Sequence, residues 1–449
     1  MGTEVTVVGA GLAGCEAAVQ LARHGLSVEL LEMKPAVFSP AHALEGPAEL
    51  VCSNSLKSND PETSHGLLKQ ELRRLGSVVL AAADEARVPA GTALAVDREL
   101  LSQAVERRLS AYPQIHYRKG VEVRTFPEGD VILATGPLTQ EALAKELLGI
   151  TGQDGLYFYD ALAPILEAES IDRSKAFFAS RWGKGDEDYL NCPLTRDEYD
   201  RFMTALLAAP RTPLAPFEEA CYFEGCLPIE VMAERGRNTL AFGPMRPVGL
   251  SVDGQRPFAV LQLRSENREK TAYNMVGFQT KLTQPAQRAV FGLIPGLERA
   301  VFLRYGAIHR NLYVDAPRVL DERFGLVGLP RVRLCGQIIG VEGYVESLAM
   351  GLLAGLFVAR QRLGLSVEPP PVETAVGALF HHVRMGGKTR KYEPMNIHFG
   401  LLPPCEGRGR APRRAAARER STLALEQWLL RLGGPGKEGA SCPLCQPQP

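Results

Sequence analysis

Residues 5–32, VTVVGAGLAGCEAAVQLARHGLSVELLE, decide the fold of this chain. They begin with a continuous β-branched run, which is typical of a buried strand in a parallel sheet. A glycine-rich turn follows and opens a helix, and a second strand then ends at Glu32. The turn consists of Gly9, Ala10, Gly11, Leu12, Ala13 and Gly14. This order of strand, turn, helix and strand predicts an α/β fold with a Rossmann-like dinucleotide-binding domain.

Each glycine of the turn has its own physical role in such a domain. Gly9 permits the tight turn, Gly11 lets the backbone approach a pyrophosphate, and Gly14 lets the helix pack closely on the strand. The helix N-terminus directs free N–H groups at the phosphates. Glu32 lies 18 residues after Gly14, where a carboxylate accepts hydrogen bonds from a ribose diol and disfavours a 2′-phosphate. The turn therefore predicts a dinucleotide without that phosphate.

Two further glycine turns favour FAD over NAD. The strand VIL is followed by Ala134, Thr135 and Gly136, a turn that recurs in flavoproteins that bind two dinucleotides. Late in the chain, LCGQIIGVEGYVES places another turn before a helix, with the candidate cofactor residues Gly336, Gly340, Glu342 and Gly343. A helix N-terminus there stabilises negative charge on the pyrimidine edge of a reduced flavin. Because NAD dehydrogenases rarely carry all three turns, the sequence predicts FAD.

The remaining pattern predicts a second domain inserted into the first. The chain has 449 residues, which suits two large domains or one domain with an insertion. Residues 1–150 and 331–364 form the predicted FAD-binding domain, and residues 151–330, rich in aromatics and short strands, form an inserted α+β substrate domain. Residues 365–449 form a basic C-terminal segment and a tail. Residues 33–60, rich in Pro and Ser, are predicted to form a long functional loop.

Composition and charge exclude several classes of protein. Hydrophobic residues make up 45% and charged residues 23%, as in a folded globular protein. The 51 basic and 51 acidic side chains cancel, which excludes a uniformly basic coat but not a local basic face. The most apolar run, LAMGLLAGLFVA, has 12 residues, short of the roughly 20 that span a bilayer. With no apolar leader and nine irregularly spaced cysteines, we expect a cytoplasmic protein without membrane attachment.

Two of the cysteines lie in segments where a nucleophile could be reached. Cys52, in ELVCSNSLKS, has small polar neighbours, and Cys226, in FEGCLPIE, follows a glycine and lies close to a proline. Access and nearby N–H groups favour a reactive thiolate at such positions. Cysteines are more often buried and inert, and we expect this of Cys15, Cys192 and Cys335. The residues alone leave both interpretations open for Cys52 and Cys226.

Three other features have an ordinary and a functional interpretation. His309, followed by Arg310 and Asn311, is either a satisfied loop histidine or part of a site. Residues 384–420 hold ten Lys or Arg against three Glu, which indicates either a solvated helix face or contact with a phosphate backbone. The CPLC pair at 442–445 lacks the second pair of ligands that a structural zinc site needs, so we expect no metal.

A longer set of motifs runs in order from residue 4 to about residue 403. They are GAGLAGCEAA, ELVCSNSLKS, VPAGTALAVDRE, ATGPLT, YLNCPLT, FEGCLPIEVMAERG, FGPMRPVGL, VGFQT, IPGLE, YGAIHRN, GVEGYVES and NIHFGLL. Together they resemble the folate- and FAD-dependent tRNA (uracil-5-)-methyltransferase family, TrmFO. A more distant similarity is to GidA-type tRNA-modifying flavoproteins, which are longer and lack the second cysteine motif in this form. The resemblance implies a Rossmann-like FAD-binding domain of the GidA and glutathione-reductase type.

The resemblance also implies a reaction. The family methylates C5 of a T-loop uridine in tRNA, usually uridine 54, with 5,10-methylenetetrahydrofolate as carbon donor. Reduced FAD converts the methylene to a methyl, and NAD(P)H regenerates the flavin. On the family's motifs, Cys226 matches the nucleophile that adds to uracil C6, and Cys52 matches the group that removes the C5 proton. His309, Arg310 and Asn311 become candidates to bind folate.

The expected partners are the T arm of tRNA, folate and NAD(P)H, with no obligatory protein partner. The basic residues 384–420 are the predicted contact with the tRNA backbone. One alternative is a GidA-like enzyme that modifies a wobble uridine. That function predicts a partner GTPase and a helical docking domain, for which 449 residues leave little room. Another alternative is a flavoprotein that binds RNA without turnover.

Overall fold

The computed structural model describes residues 4–152, 156–181, 187–213, 227–386 and 392–433. Its first elements are β1 (Val5–Val8), α1 (Leu12–Arg23), β2 (Val28–Glu32), β3 (Ser55–Ser58), α2 (Ser64–Arg74), α3 (Val78–Glu85), β4 (Arg87–Val88), β5 (Ala93–Val96), α4 (Arg98–Ser110), β6 (Ile115–Lys119), β7 (Asp130–Leu133) and α5 (Glu141–Thr151). The middle elements are β8 (Leu156–Ala161), β9 (Ile165–Glu167), β10 (Phe177–Phe178), β11 (Tyr189–Leu194), α6 (Arg196–Ala208), α7 (Ile229–Glu234), α8 (Thr239–Phe242), β12 (Ala259–Ser265), β13 (Ala272–Met275), α9 (Gln284–Phe291), β14 (Phe302–Arg304) and β15 (Ile308–Tyr313). The last elements are α10 (Ala316–Val319), β16 (Gly325–Leu326), β17 (Leu329–Leu334), α11 (Tyr344–Arg362), α12 (Ala375–Met385) and α13 (Arg410–Gly433).

The first domain is built on a six-stranded sheet in the order β16-β17-β7-β1-β2-β6. β1 pairs in parallel with β2 and with β7, which makes it a central strand. All four of its residues are buried, so both faces of the strand are covered, and this is why it needs a continuous apolar run. The predicted α/β class is confirmed, as is the second strand that ends at Glu32.

The late part of the chain returns to the first helix through two glycines of α11. A Cβ at Gly351 would lie 2.2 Å from the carbonyl oxygen of Ala13, and one at Gly355 would lie 2.5 Å from that of Ala17. The two helices can therefore approach this closely only with glycine at both positions. The apolar run of α11 is thus core packing. Among the described residues, no helix combines the length and apolarity needed to cross a bilayer.

A second hydrophobic core belongs to the inserted unit. Its sheet has the order β10-β11-β12-β13-β9-β14, and α6 packs on it. A capping box starts α6, because Thr195 and Glu198 make both reciprocal hydrogen bonds. The buried members of this core run from Leu166 to Leu297, whereas Tyr313 and Phe324 pack in the first core. The core of the inserted unit therefore occupies a narrower stretch than residues 151–330.

The predicted loop at 33–60 is not wholly irregular, since it ends in β3. This strand joins a small sheet in the order β3-β5-β4. Only Leu56 of its four residues is buried, so the sequence carries no alternating pattern that would indicate a strand. The side-chain amide of Asn54, just before β3, donates to the carbonyl oxygens of Val96 at 3.1 Å and Ser265 at 2.9 Å. These bonds tie the Cys52 loop to both domains.

Candidate active site

The glycine-rich turn after β1 is shaped by close backbone contacts. Gly9 has a φ of +99°, and a Cβ there would lie 2.7 Å from the carbonyl oxygen of Ala134. A Cβ at Gly14 would lie 1.8 Å from the carbonyl oxygen of Gly9. A Cβ at Gly11, in contrast, would meet nothing within 4 Å. The turn therefore needs two of its glycines for its own packing, whereas Gly11 leaves open space beside the N-terminus of α1.

That open space belongs to a first cavity, which most of the predicted cofactor residues surround. They are Gly9, Ala10, Gly11, Leu12, Ala13, Glu32, Thr135, Gly136 and Gly336. The buried carboxylate of Glu32 accepts hydrogen bonds from the N–H groups of Ala10 at 2.9 Å and Lys34 at 3.1 Å. Each carboxylate oxygen retains a further lone pair, so Glu32 can still accept from a ribose diol. The open glycine position, the helix N-terminus and this acceptor fit the adenosine half of FAD.

The late glycine turn closes the same cavity. Gly336 has a φ of +80°, and a Cβ there would lie 3.0 Å from the Cβ of Ala13. Gly343 precedes α11, and Tyr344 and Ser347 from the first turn of that helix line the cavity. Because the N-terminus of a helix carries partial positive charge, α11 directs positive charge at the cavity.

A second cavity lies beside the first. The two share the wall residues Val51, Pro137, Leu138, Gln337 and Tyr344. The second cavity is lined by nucleophilic and ionisable side chains from distant parts of the chain, namely Cys52, Lys57, Asp160, Arg264, His309, Glu342, Tyr344 and Glu346. A molecule bound in the second cavity would adjoin one bound in the first. Such proximity is what transfer between two bound molecules requires.

Cys52 is a half-buried cysteine on the wall of the second cavity. Its N–H donates to the hydroxyl of Tyr344 at 2.7 Å. Its carbonyl oxygen accepts from terminal nitrogens of Arg98 at 3.3 Å and Arg304 at 3.0 Å. The backbone of Cys52 is thus held by α4, β14 and α11. All three contacts are made by backbone atoms, and the thiol takes no part in them.

Three other cysteines are inert. Cys15, Cys192 and Cys335 are fully buried, as the sequence predicted. Burial raises the pKa of Cys192 and of Cys335 to about 12, and it also raises the pKa of Cys15. These thiols therefore stay protonated at neutral pH and are poor nucleophiles. Cys226 lies outside the described residues, and so does the CPLC pair at 442–445.

The three candidate folate residues lie on β15, where adjacent side chains point to opposite sides. His309 and Asn311 line the second cavity. Arg310 is exposed instead, with its guanidinium 3.5 Å from the ring centroid of Tyr157. Burial, followed by the charge of Arg304, lowers the pKa of His309, so its ring is neutral at pH 7. The structure brings two of the three residues to the cavity.

Glu342 is a buried carboxyl group on the wall of the second cavity. Burial and the charge of Asp160 raise the pKa of Glu342 to about 8. One of its oxygens accepts a hydrogen bond from Nε2 of Gln337 at 2.9 Å. The carboxyl group is therefore mostly protonated at pH 7 and can donate to a ligand. Gly340 lines neither cavity, because its open side meets the ring of Tyr392, 2.4 Å from where a Cβ would lie.

Comparison with known proteins agrees with this geometry. Residues 4–366 match the family model of glucose inhibited division protein A. A methylenetetrahydrofolate--tRNA-(uracil-5-)-methyltransferase TrmFO from Geobacter sulfurreducens is 55% identical over 430 residues, which cover 95% of this chain and 98% of that protein. The chain belongs to the TrmFO family. A second TrmFO, from Pelobacter propionicus, is 53% identical over 441 residues, 97% of this chain and 96% of that protein.

A solved structure of GidA from Aquifex aeolicus has the same fold. Its form I crystal superposes with a TM-score of 0.67 at 17% sequence identity, covering 96% of this chain and 79% of that chain. At this identity the likeness concerns the fold alone. It confirms the prediction of a GidA-type domain with an insertion.

The sequence did not single out Lys57, Arg264, Tyr344 or Glu346 of this TrmFO-family chain, although all four line the second cavity. The ammonium of Lys57 lies 3.9 Å from Oε1 of Glu346. A signal for Arg264 was present, since it is a cation in the largely apolar, fully buried strand AVLQLRS. No local pattern indicated that the four would meet.

The basic residues 384–420 fall only partly within the described residues, because 387–391 lie outside them. The arginines at the start of α13 are exposed, namely Arg410, Arg413 and Arg414. The second half of α13 is anchored, since the hydroxyl of Ser421 donates to Glu71 at 2.5 Å and Trp428 is fully buried. One end of this helix therefore presents positive charge while the other packs on the domain.

Proposed function

We propose that this chain is a tRNA (uracil-5-)-methyltransferase that methylates C5 of uridine 54 in the T loop. Its carbon donor is 5,10-methylenetetrahydrofolate, its cofactor is FAD, and NAD(P)H supplies electrons. The observation that carries the proposal is the second cavity, which contains Cys52 and shares a wall with the dinucleotide-type first cavity. Identity above one half to TrmFO enzymes over nearly the whole chain supports the same reaction.

The first cavity is the proposed FAD site. Glu32 would bind the ribose, and the N–H groups beside Gly11 would bind the pyrophosphate. The late turn with Gly336 and Gly343, together with the N-terminus of α11, would hold the flavin portion. Bound there in its reduced form, FAD supplies the reducing equivalents that turn a methylene carbon into a methyl group. All other steps fall to side chains of the second cavity and to Cys226.

Methylation of uracil requires two separate groups of the protein. A thiolate adds to C6, and the C5–C6 π electrons move to C5 and O4 as an enolate, which makes C5 nucleophilic. After C5 has accepted the carbon it still carries a proton, which a base takes as the bond between sulfur and C6 breaks. One thiol cannot hold C6 and collect the C5 proton at the same time. We assign the first role to Cys226 and the second to Cys52.

Chain connectivity supports this pair of cysteines. The N–H of Ile229 donates to the carbonyl oxygen of Gln279 at 2.7 Å, and Gln279 lines the second cavity. Cα atoms three residues apart are separated by at most about 11 Å. Cys226 is three residues before Ile229 in the chain. The described chain that follows Cys226 is therefore anchored, at Ile229, on the wall of the cavity that contains Cys52.

The folate is assigned to the second cavity. The neutral ring of His309 can stack on a pteridine, and the buried amide of Asn311 can hydrogen-bond to it. Arg310 faces away from the cavity, so we assign it a peripheral role in binding. The cavity also has to admit the uracil, and both ligands would then adjoin the cofactor.

The tRNA has to present its base unstacked, at a cost of a few kcal/mol. Favourable contacts to the RNA backbone can offset that cost. The exposed arginines at the start of α13 are the proposed source of such contacts, within the basic residues 384–420.

The test is methyl transfer from labelled methylenetetrahydrofolate to tRNA that lacks 5-methyluridine. We expect label in 5-methyluridine at position 54, and none with a matched tRNA that carries cytidine there. Label at a wobble uridine would support the GidA-like alternative. Tight RNA binding without any label would support the non-catalytic flavoprotein.

A further inference from the structure

Three arginines surround the loop that carries Cys52, but they share one carboxylate. Arg98, Arg264 and Arg304 come from α4, β12 and β14, and all three are largely buried. Arg98 forms an ion pair with Glu266 at 2.9 Å. This leaves Arg264 and Arg304 without a carboxylate partner among the described residues. Because burying unpaired charge costs free energy, such unpaired cations indicate a site that receives negative charge from a ligand.

Arg264 is the member of this set that lines the second cavity. Its side chain is held by one hydrogen bond, from Nε to Oδ1 of Asn54 at 2.8 Å. Asn54 is itself fully buried and anchored by its amide to two backbone carbonyls. Among the described residues, Arg264 makes no ion pair, and its terminal nitrogens have no protein partner. The residue is 6% exposed and lines the second cavity.

The neighbouring cations are placed differently. Lys57 is paired with Glu346 at 3.9 Å, whereas Arg304 donates to the carbonyl oxygen of Cys52 and does not line the second cavity. Among the described residues, the contacts of Cys52 with Arg98, Arg304 and Tyr344 are made by its backbone, and the Cys52 thiol makes no hydrogen bond with the Arg264 guanidinium. The planar guanidinium of Arg264, held in place through its Nε, is therefore preorganised and can donate from its terminal nitrogens to a ligand.

We infer that Arg264 donates hydrogen bonds to O4 of the target uracil and stabilises the enolate that forms when a thiolate adds to C6. This inference rests on the proposed function. Asn54, which holds Arg264, lies two residues from Cys52, the group assigned to the C5 proton. Since C4 is bonded to C5, a donor to O4 and a base for the C5 proton have to lie side by side. Negative charge moves to O4 without proton transfer, and Arg264 stays protonated throughout.

The test uses RNA with 5-fluorouridine at the target position, because fluorine blocks the proton removal and leaves the protein–RNA adduct intact. We expect Arg264→Met to slow adduct formation by about 100-fold, the usual effect of losing one donor to a developing oxyanion. FAD content, the Kd for RNA and the KM for folate should stay within about twofold of wild type. Arg264→Lys keeps the positive charge but loses the planar pair of donors, so its rate of adduct formation should lie between those of Arg264→Met and the wild type.

A matched control is Arg181→Met. Arg181 is a half-buried arginine that does not line the second cavity. Its Nε donates at 2.7 Å to Gln262, which lies on β12 like Arg264. This variant should form the adduct at the wild-type rate. The inference is wrong if Arg264→Met also does so, or if its main defect is a raised folate KM or weakened RNA binding. Failure of the wild-type protein to form any adduct would instead overturn the proposed function. If Arg264→Met does not fold, the rate of adduct formation by Arg264→Lys decides: a rate below that of the wild type supports the inference, and a wild-type rate overturns it.

Discussion

The two cavities differ in how the sequence supplies their walls. The first contains three glycine turns, each made of consecutive residues, and the N-termini of α1 and α11. The second is bounded by side chains from distant parts of the chain, with Cys52 and Arg264 from different domains. A turn of consecutive glycines recurs in many folds, whereas a constellation of distant side chains defines the chemistry of one family. The proposed cofactor site is therefore the more general of the two, and the site beside it is the more specific.

The largest effect is expected when a side chain fills the open space beside Gly11 in the first cavity, compared with a side chain that fills open space elsewhere in the molecule. Gly11→Val should lose more than about 90% of its FAD and its activity, because the new side chain takes the place of the pyrophosphate. A Cβ at Gly11 touches no protein atom, so the melting temperature of the cofactor-free protein should change little.

Gly149→Val is the matched control. Gly149 lies in α5 and also has nothing within 4 Å of an added Cβ, but it does not line the first cavity. Flavin absorbance at equal protein concentration measures both variants. Normal flavin content in Gly11→Val would contradict the assignment of the first cavity.

A smaller effect is expected from two neighbours on β15 in the second cavity. His309→Ala should raise the KM for folate by about 2–10-fold, the range for the loss of one stacking contact. Arg310→Ala should raise that KM much less, because its side chain lies outside the cavity. Steady-state kinetics at saturating tRNA compare the two. Equal effects of both substitutions would show that the strand does not orient folate as described.

The smallest effect concerns stability and pH. The pKa of Glu342 is about 8 in the folded protein against an ordinary value of 4.5, so unfolding releases a proton between these values. The free energy of unfolding should therefore fall as pH rises from about 5 to 8, and level off above. Glu342→Gln should flatten this dependence in calorimetric scans at a series of pH values. An unchanged slope would mean that Glu342 is already ionised in the folded protein.

Local features of the fold could be predicted from the sequence because they depend on neighbouring residues. The strand, turn and helix around Gly11 follow from glycine positions and apolar spacing, and the start of α4 follows from Asp97, whose carboxylate accepts from two backbone N–H groups at 3.1 and 3.0 Å. β3 could not be predicted, because a strand with one buried residue, Leu56, shows no alternation of apolar and polar residues. The point near Tyr313 where the chain leaves the inserted unit also has no signal in the neighbouring sequence, because it depends on which of the two hydrophobic cores Tyr313 packs in.

The candidate site divides in the same way. Predicted cofactor residues such as Gly11 and Glu32 line the first cavity, because a motif of consecutive residues places them there. Arg264 could not be predicted, because only folding brings β12 against the loop of Cys52. The alternation along β15, which turns Arg310 away from His309, could have been read from the sequence if the segment had been assigned as a strand.

The most direct test of the account is the fate of Cys52→Ala in the presence of tRNA and methylenetetrahydrofolate. If Cys226 adds to C6 and Cys52 removes the C5 proton, this variant should accumulate a covalent protein–tRNA adduct that maps to Cys226 by mass spectrometry. It should release no 5-methyluridine, and Cys405→Ala, at a half-buried cysteine on neither cavity wall, should turn over like the wild type. Normal methylation by Cys52→Ala, or an adduct on a residue other than Cys226, would contradict the account.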